Sequence, residues 1–180
     1  MKNTALWVTR TGVFIALLIV LQAVTTPLGT TLVTGSFVNM MLILSVMLCG
    51  FSSGAAVGLV SPVLAKCLGI GPFWSLIPFI LAGNLTLIVI WYILGRKKGQ
   101  GRFTWCLIAC LTAAAAKFLV LYLGIVKIAV PLILELPQGQ AAAVSGLFSV
   151  PQLITALAGG ALAILLLPSL RKALSFSEIG

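Results

Sequence analysis

Residues 103–126 of the chain read FTWCLIACLTAAAAKFLVLYLGIV, and this stretch contains a single charged residue, Lys117. An α-helix needs about 20 predominantly apolar residues to cross the hydrocarbon core of a bilayer, so the stretch is long enough. Its apolar residues are continuous, whereas a strand of a membrane barrel would alternate apolar and polar side chains. The stretch therefore predicts a membrane-spanning helix, and it indicates the fold class of the whole chain.

The rest of the 180-residue chain has the same character, with 61% hydrophobic and only 7% charged residues. A soluble domain carries roughly 25% charged residues, and it does not leave such large apolar surfaces in water. Lipid cannot satisfy exposed backbone groups, so the spanning elements must be helices or a closed barrel, and the continuous apolar runs favour helices. We predict an all-α integral membrane protein, a single transmembrane domain over residues 1–180 that forms a six-helix bundle. The predicted spans are 10–26, 35–49, 54–68, 73–94, 103–126 and 147–167.

Basic residues gather at three places that six spans would put on one side of the membrane. They are Lys2 and Arg10 before or at the first span, residues 96–102 between the fourth and fifth, and Arg171 with Lys172 after the sixth. Cytoplasmic loops carry the excess of Lys and Arg, so both termini are predicted to be cytoplasmic. The net charge of +9 then reflects orientation and contact with anionic lipid, and we expect no nucleic-acid binding.

The chain has no His and only two acidic residues, Glu135 and Glu178. This composition excludes His-based catalytic triads, carboxylate pairs and the usual zinc or calcium sites. The sequence also lacks a glycine-rich loop that ends in Gly-Lys-Ser or Gly-Lys-Thr, which excludes ATP binding by that route. We therefore expect that the chain is not an enzyme and uses no metal and no cofactor.

Lys117 is the most informative polar residue, because it lies near the middle of the fifth predicted span. A cation at that depth costs several kcal/mol unless it meets a partner, water or a ligand. Lys117 either binds a ligand or bonds backbone carbonyls, and we favour the ligand. Lys66, late in the third span, either lines the same site or extends its ammonium to the interface. With Lys127, these lysines make the outer half basic, which suits a substrate with a carboxylate or another electron-rich group.

Three further residues within the spans are candidates for the same site. Asn84 lies in the outer half of the fourth span, and Trp91 follows two turns later on a similar face. Gln152 lies near the outer start of the sixth span. A buried amide needs hydrogen-bond partners, so Asn84 and Gln152 either bridge helices or bind the substrate.

Two polar loops are predicted on the outer side, over residues 25–36 and 127–146. Thr34 and Gly35 belong to the first loop, and Asn39 braces it from just inside the second span. Polar loops over one mouth of a bundle suit a lid over a ligand, although ordinary connectors fit the same pattern.

The first span contains Gly12 and Ala16, two small residues four positions apart. Small residues at this spacing clear one face of a helix, so that another backbone approaches closely. The pattern alone does not distinguish contact within the chain from contact with a partner protein.

Two long segments resemble the S components, or substrate-binding subunits, of energy-coupling factor (ECF) transporters. They are TGSFVNMMLILSVMLCGFSSGAAVGLVSPVLAKCLGIGPFWSLIPFILAGN at Thr34–Asn84 and SVPQLITALAGGALA at Ser149–Ala163. Within that family they look similar to the branch of riboflavin- and pantothenate-type S components. The six spans, the basic cytoplasmic ends and the small residues of the first helix fit the same resemblance.

The resemblance implies a subunit of an ABC-type importer that binds a small vitamin or related micronutrient from outside. It implies docking on a transmembrane coupling subunit that is carried by two ATPase subunits, in what we expect to be a bacterial cytoplasmic membrane. The family's small-residue pair on the first helix, which meets the coupling subunit, corresponds to Gly12 and Ala16. The family's pocket of outer loops and later helices corresponds to Asn84, Lys117, Gln138 and Gln152.

Two other functions remain as alternatives. One is a small secondary transporter or exporter, for which a coupling carboxylate inside a span is missing. The other is a membrane assembly protein without a ligand. The substrate is also open, because pantothenate, riboflavin, a pyridoxine-like ring and a modified base all fit the pattern.

Overall fold

The computed structural model describes residues 4–70, 73–96 and 102–177 of the chain. Lys2, Lys97, Lys98 and Glu178, which bear on the sequence predictions, lie outside these ranges. The described helices are α1 (Thr4–Thr25), α2 (Thr31–Cys49), α3 (Phe51–Cys67), α4 (Ile77–Ile90), α5 (Arg102–Leu121), α6 (Gln138–Leu147) and α7 (Val150–Ser177). Short 3-10 turns at Thr26–Leu28 and Trp74–Leu76 follow α1 and precede α4.

Two of these helices are prolonged by π-helical segments. α4 continues as Trp91–Gly95, and α5 continues as Tyr122–Ala129 and then a short α-helix at Val130–Leu132. These continuations lengthen both elements without a break in the chain direction. Helix α4 therefore reaches the end of the bundle at which α5 begins.

The length and composition of the helices fit a membrane. Five helical stretches of the described chain are long and apolar enough to cross a bilayer, and a sixth, Phe51–Cys67, is apolar but shorter. The five long stretches are Thr4–Leu28, Thr31–Cys49, Trp74–Gly95, Phe103–Leu132 and Gln138–Ala173. The all-α membrane fold that the sequence predicts is confirmed.

Hydrogen bonds between helix ends establish the up-and-down order of the bundle. The Trp7 Nε1–H donates to Ser52 Oγ at 3.1 Å, and Thr11 Oγ1 donates to Ser53 Oγ at 2.9 Å. The beginnings of α1 and α3 therefore lie at the same end, since α2 runs between them in the opposite direction. We call this the basic end, because Arg96 and Lys172 also lie there, near the ends of the α4 continuation and of α7.

Helix α2 is the centre of the bundle. Every residue from Asn39 to Met47 is buried, and apolar side chains of this stretch form the middle of the main hydrophobic core. Its most extensive contact is with α7, and it also packs on α1 and α3. The stretch also contains the buried polar residues Asn39 and Ser45, and polar groups within a membrane face the interior of the bundle rather than lipid, which fits this central place.

The connection from α2 to α3 is a single residue, Gly50, with a φ of 95°. A side chain would strain the backbone in that region, so glycine permits the abrupt reversal. The reversal keeps α2 and α3 antiparallel and adjacent, and it places their other ends together at the far side of the bundle.

Several helix bounds differ from the predicted spans. α1 begins at Thr4 rather than residue 10, and α2 begins at Thr31, so Thr34 and Gly35 lie in a helix and not in a loop. The last helix runs from Val150 to Ser177 rather than over 147–167. The predicted loop 127–146 contains the end of α5 and most of α6. Polar and small residues such as Thr, Gly and Gln suggest loops in a sequence, but here neighbouring helices hold them in helical conformation.

Candidate functional site

A cavity of about 400 Å³ lies at the end of the bundle opposite the basic end. It is bordered by α1 to α5, by the connection between α1 and α2, and by the start of α7. Its polar lining consists of Gln22, Thr26, Thr30, Thr31, Thr34, Asn39, Ser61, Asn84, Lys117 and Gln152. Its apolar lining includes Val38, Pro62, Ile77, Ile80, Leu121 and Phe148. A cavity that combines apolar contact surface with a set of convergent polar groups is typical of a small-molecule site.

Lys117 lies in the wall of this cavity and is only 4% exposed. Its ammonium donates to Asn39 Oδ1 at 2.6 Å and to Asn84 Oδ1 at 2.8 Å. Both bonds have the short lengths of charge-assisted hydrogen bonds. The two asparagines therefore hold the lysine at a fixed place in the cavity wall.

The nitrogen atoms of the same two amides are bound elsewhere. Asn39 Nδ2 donates to Thr155 Oγ1 at 3.3 Å, and Asn84 Nδ2 donates to the Gly58 carbonyl at 3.2 Å. Thr155 in turn donates to the Gln152 carbonyl at 3.1 Å. One polar network thus joins α2, α3, α4, α5 and α7 at the inner end of the cavity.

Helical spacing explains why Lys117 faces the interior. Ala113 and Leu121 lie four residues before and after it, and both are buried, so the three share one face of α5. The small Ala113 and Ala114 side chains let neighbouring helices pack closely beside the lysine stem. Because this face of α5 points into the bundle, Lys117 contributes one cation to the cavity.

The structure brings six of the sequence-predicted site residues to the cavity. They are Thr34, Gly35, Asn39, Asn84, Lys117 and Gln152. Asn39 differs from its predicted role, because it is buried two turns inside α2 and bonds Lys117 instead of bracing a loop. The contribution of these residues to ligand binding stays a prediction.

Three other predicted residues do not line the cavity. Trp91 is fully buried in the main core, where its indole lies against Gly95 and Gly160. Gln138 is exposed at the first turn of α6. Lys66 is half-buried near the end of α3 and is not among the residues that line the cavity.

Gln22 is a cavity residue that the sequence interpretation missed. Its Oε1 atom is buried and has no hydrogen-bond partner among the residues that the structure describes. The signal was available, because Gln22 is the one amide in the apolar run from Val13 to Val24 of the first span. A buried amide oxygen without a donor is costly, so it is suited to a ligand that supplies one.

Gly12 and Ala16 lie on an exposed face of α1, together with Val13, Leu17 and Val20. A Cβ atom added at Gly12 would have nothing within 4 Å. The described helices of the chain therefore leave this small-residue face open.

No group of three or more potential metal-ligating side chains lies together in the described part of the chain. The chemistry available in the cavity is therefore hydrogen bonding, one positive charge and apolar contact.

Comparison with known proteins identifies the family. Residues 7–171 match the family model described as ECF transporter, substrate-specific component. Neither the curated proteins nor the solved structures searched gave a match. The matched region contains every residue that lines the cavity. The chain therefore belongs to the family of substrate-specific components of ECF transporters, which are multi-pass membrane transport subunits and not enzymes.

Proposed function

We propose that this chain binds a small water-soluble vitamin or related micronutrient in the cavity and delivers it through an ATP-driven coupling module. The membrane is proposed to be the bacterial cytoplasmic membrane, with the cavity open to the outside. The resemblance of Thr34–Asn84 to riboflavin- and pantothenate-type S components supports a substrate of this class.

The observation that carries the proposal is the lysine fixed inside the cavity. A charged residue within a membrane span is expensive, and such residues commonly mark substrate sites. Lys117 is 4% exposed, and two asparagines from different helices orient its ammonium. A binding site benefits from polar groups held in place before the ligand arrives, because ordering them costs no binding energy.

Delivery requires partners that hydrolyse ATP. The sequence contains no glycine-rich phosphate-binding loop, so ATP binding must come from other subunits of the transporter. Membership of the family implies such partners. We propose the exposed face of α1, centred on Gly12 and Ala16, as the surface that meets the transmembrane coupling subunit.

Binding and uptake should separate in a reconstitution experiment. The purified chain alone is expected to retain a small molecule, while uptake into vesicles requires the coupling subunit, the ATPases and ATP. The retained molecule is identified by mass spectrometry, and uptake of that molecule is then followed. Uptake by the chain alone with only an ion gradient would show a secondary transporter instead.

A Gly12→Leu variant tests the docking face. Leucine would occupy the open surface of α1, so assembly with the coupling subunit should fail while ligand retention stays normal. Gly139→Leu is the matched control, because a Cβ atom there also meets nothing within 4 Å but lies on α6. Copurification of the coupling subunit is the measurement, and normal assembly of Gly12→Leu would exclude this face.

A further inference from the structure

We infer that the substrate is an organic monoanion, a molecule with one carboxylate or an equally charged group, and that this group pairs with Lys117. The inference rests on the proposed function, because it specifies the chemical class of the molecule that the same cavity takes. It follows from the charges, the hydrogen-bond donors and the acceptors that line the cavity.

The first step is the charge balance around Lys117. Its two hydrogen-bond partners, Asn39 Oδ1 and Asn84 Oδ1, are neutral amide oxygens. Glu135, the one carboxylate in the described part of the chain, is exposed in the connection before α6. A buried cation with neutral partners only is unfavourable, and a ligand anion would compensate its charge.

The second step is the count of donors. A lysine ammonium has three N–H donors, and the two asparagines accept two of them. Because the amide nitrogens of Asn39 and Asn84 bind Thr155 and Gly58, both amides present their oxygens to the lysine. The remaining donor of Lys117, in the cavity wall, is left for an acceptor on the ligand.

The third step is the number of charges on the ligand. Lys117 is the only charged residue among the described residues that line the cavity. A phosphate monoester carries a charge between −1.5 and −2 at neutral pH, so much of its charge would lack a partner here. An amino acid would bring an ammonium group with no carboxylate to meet it. The balance therefore favours a carboxylate over a phosphate, and an anion over a zwitterion.

The rest of the lining adds two features. The buried Gln22 Oε1 calls for a hydroxyl or N–H group on the ligand. Ile77, Ile80, Leu121 and Phe148 provide apolar contact for the body of the molecule. The class is thus a monocarboxylate with a partly apolar body and at least one hydrogen-bond donor.

Yeast extract separated by ion exchange into anionic, neutral and cationic pools provides the test. The purified full chain is incubated with each pool, separated from unbound material, and its bound compound is extracted and weighed. If a compound from the expression host copurifies with the protein, it is also extracted and weighed, and its charge is compared with the expected single negative charge. The expected result is a retained compound from the anionic pool with a single negative charge.

Each other result has a definite meaning. A retained compound from the neutral or cationic pool, or one with two negative charges, overturns the inference and leaves the proposed function standing. If the folded protein retains nothing from any pool, the proposed function fails, and the inference fails with it.

Two measurements then test the role of Lys117. Lys117→Met should weaken binding of the retained compound at least about 30-fold, because one partner of a buried charge pair is removed. Lys127→Met is the matched control, since Lys127 is exposed on the continuation of α5 and lies outside the cavity lining. If Lys117→Met does not fold, the primary amide of the compound is tested on the unmodified protein. Equal binding of the acid and its amide contradicts the inference.

Discussion

At the scale of single residues, the strongest constraint is the hydrogen bond between Lys117 and Asn39. The donor and acceptor are 2.6 Å apart, and Asn39 is 2% exposed, so the bond is largely shielded from bulk water. A hydrogen bond to a charged group contributes about 1.5–3 kcal/mol. We expect Asn39→Leu, which has a similar volume, to lower the free energy of unfolding by about that amount, measured by denaturation in detergent micelles.

Thr155→Val is the control for this prediction. It removes the longer bond of 3.3 Å that Asn39 Nδ2 donates, and it leaves the lysine contact in place. The loss should be smaller, about 1 kcal/mol, since this bond is neutral and long, although Asn39 Nδ2 is left without its acceptor. In a Lys117→Met background, Asn39→Leu should cost clearly less than in the natural chain. An equal cost in both backgrounds would show that the two side chains are not coupled.

The sequence predicts which polar residues lie in the site better than it predicts their hydrogen-bond partners. Lys117 and Asn84 were identified because a polar group inside an apolar span must find a partner. The spacing of Trp91 and Asn84 predicts that they lie on the same helix face. It does not predict how far along the bundle each residue lies. Seven residues correspond to roughly 10 Å along a helix, and this distance carries Trp91 away from the cavity into the core.

At the scale of elements, α2 and α7 make the most extensive helix contact in the described part of the chain, and both border the cavity. Gly159 allows this contact, because a Cβ atom at this position would lie 2.6 Å from the Ser36 carbonyl oxygen and 2.9 Å from the Met40 nitrogen. Both are backbone atoms, so the helices themselves would have to move. We expect Gly159→Ala to lower the free energy of unfolding by about 1–3 kcal/mol, the usual cost of overpacking. Thermal unfolding in detergent provides the measurement.

Gly146→Ala serves as the comparison, because Gly146 is also helical but a Cβ atom there meets nothing within 4 Å. Alanine favours a helix over glycine, so this variant should be neutral or slightly stabilised. If Gly159→Ala is equally well tolerated, α2 and α7 are not in the close contact described above.

The sequence predicts the central part of each helix well and the helix ends poorly. Continuous apolar runs indicate where helices lie, and all six predicted spans overlap described helices. The predicted span begins at residue 35, four residues after the start of α2, because Thr31 and Thr34 are typical loop residues; in the structure Gly35 packs against Thr155 of α7. That contact joins residues 120 positions apart, which local sequence patterns do not reveal.

At the scale of the whole molecule, the distribution of charge implies a single orientation in the membrane. The termini and the chain between α4 and α5 are basic, while the cavity and α6 lie at the other end of the bundle. Because cytoplasmic loops carry the excess of Lys and Arg, the basic end is predicted to face the cytoplasm and α6 the outside. The proposed capture of a substrate from the medium requires this arrangement.

Cysteine labelling tests this orientation. In a variant with all four native cysteines replaced, Gly139→Cys on α6 should react with a membrane-impermeant maleimide in intact cells. Thr4→Cys at the start of α1 should react only in inverted vesicles, although both positions are exposed in the structure. Measuring both variants in both preparations controls for the intrinsic reactivity of each thiol. Labelling of Thr4→Cys in intact cells would place the cavity on the cytoplasmic side, where capture of an external nutrient is impossible.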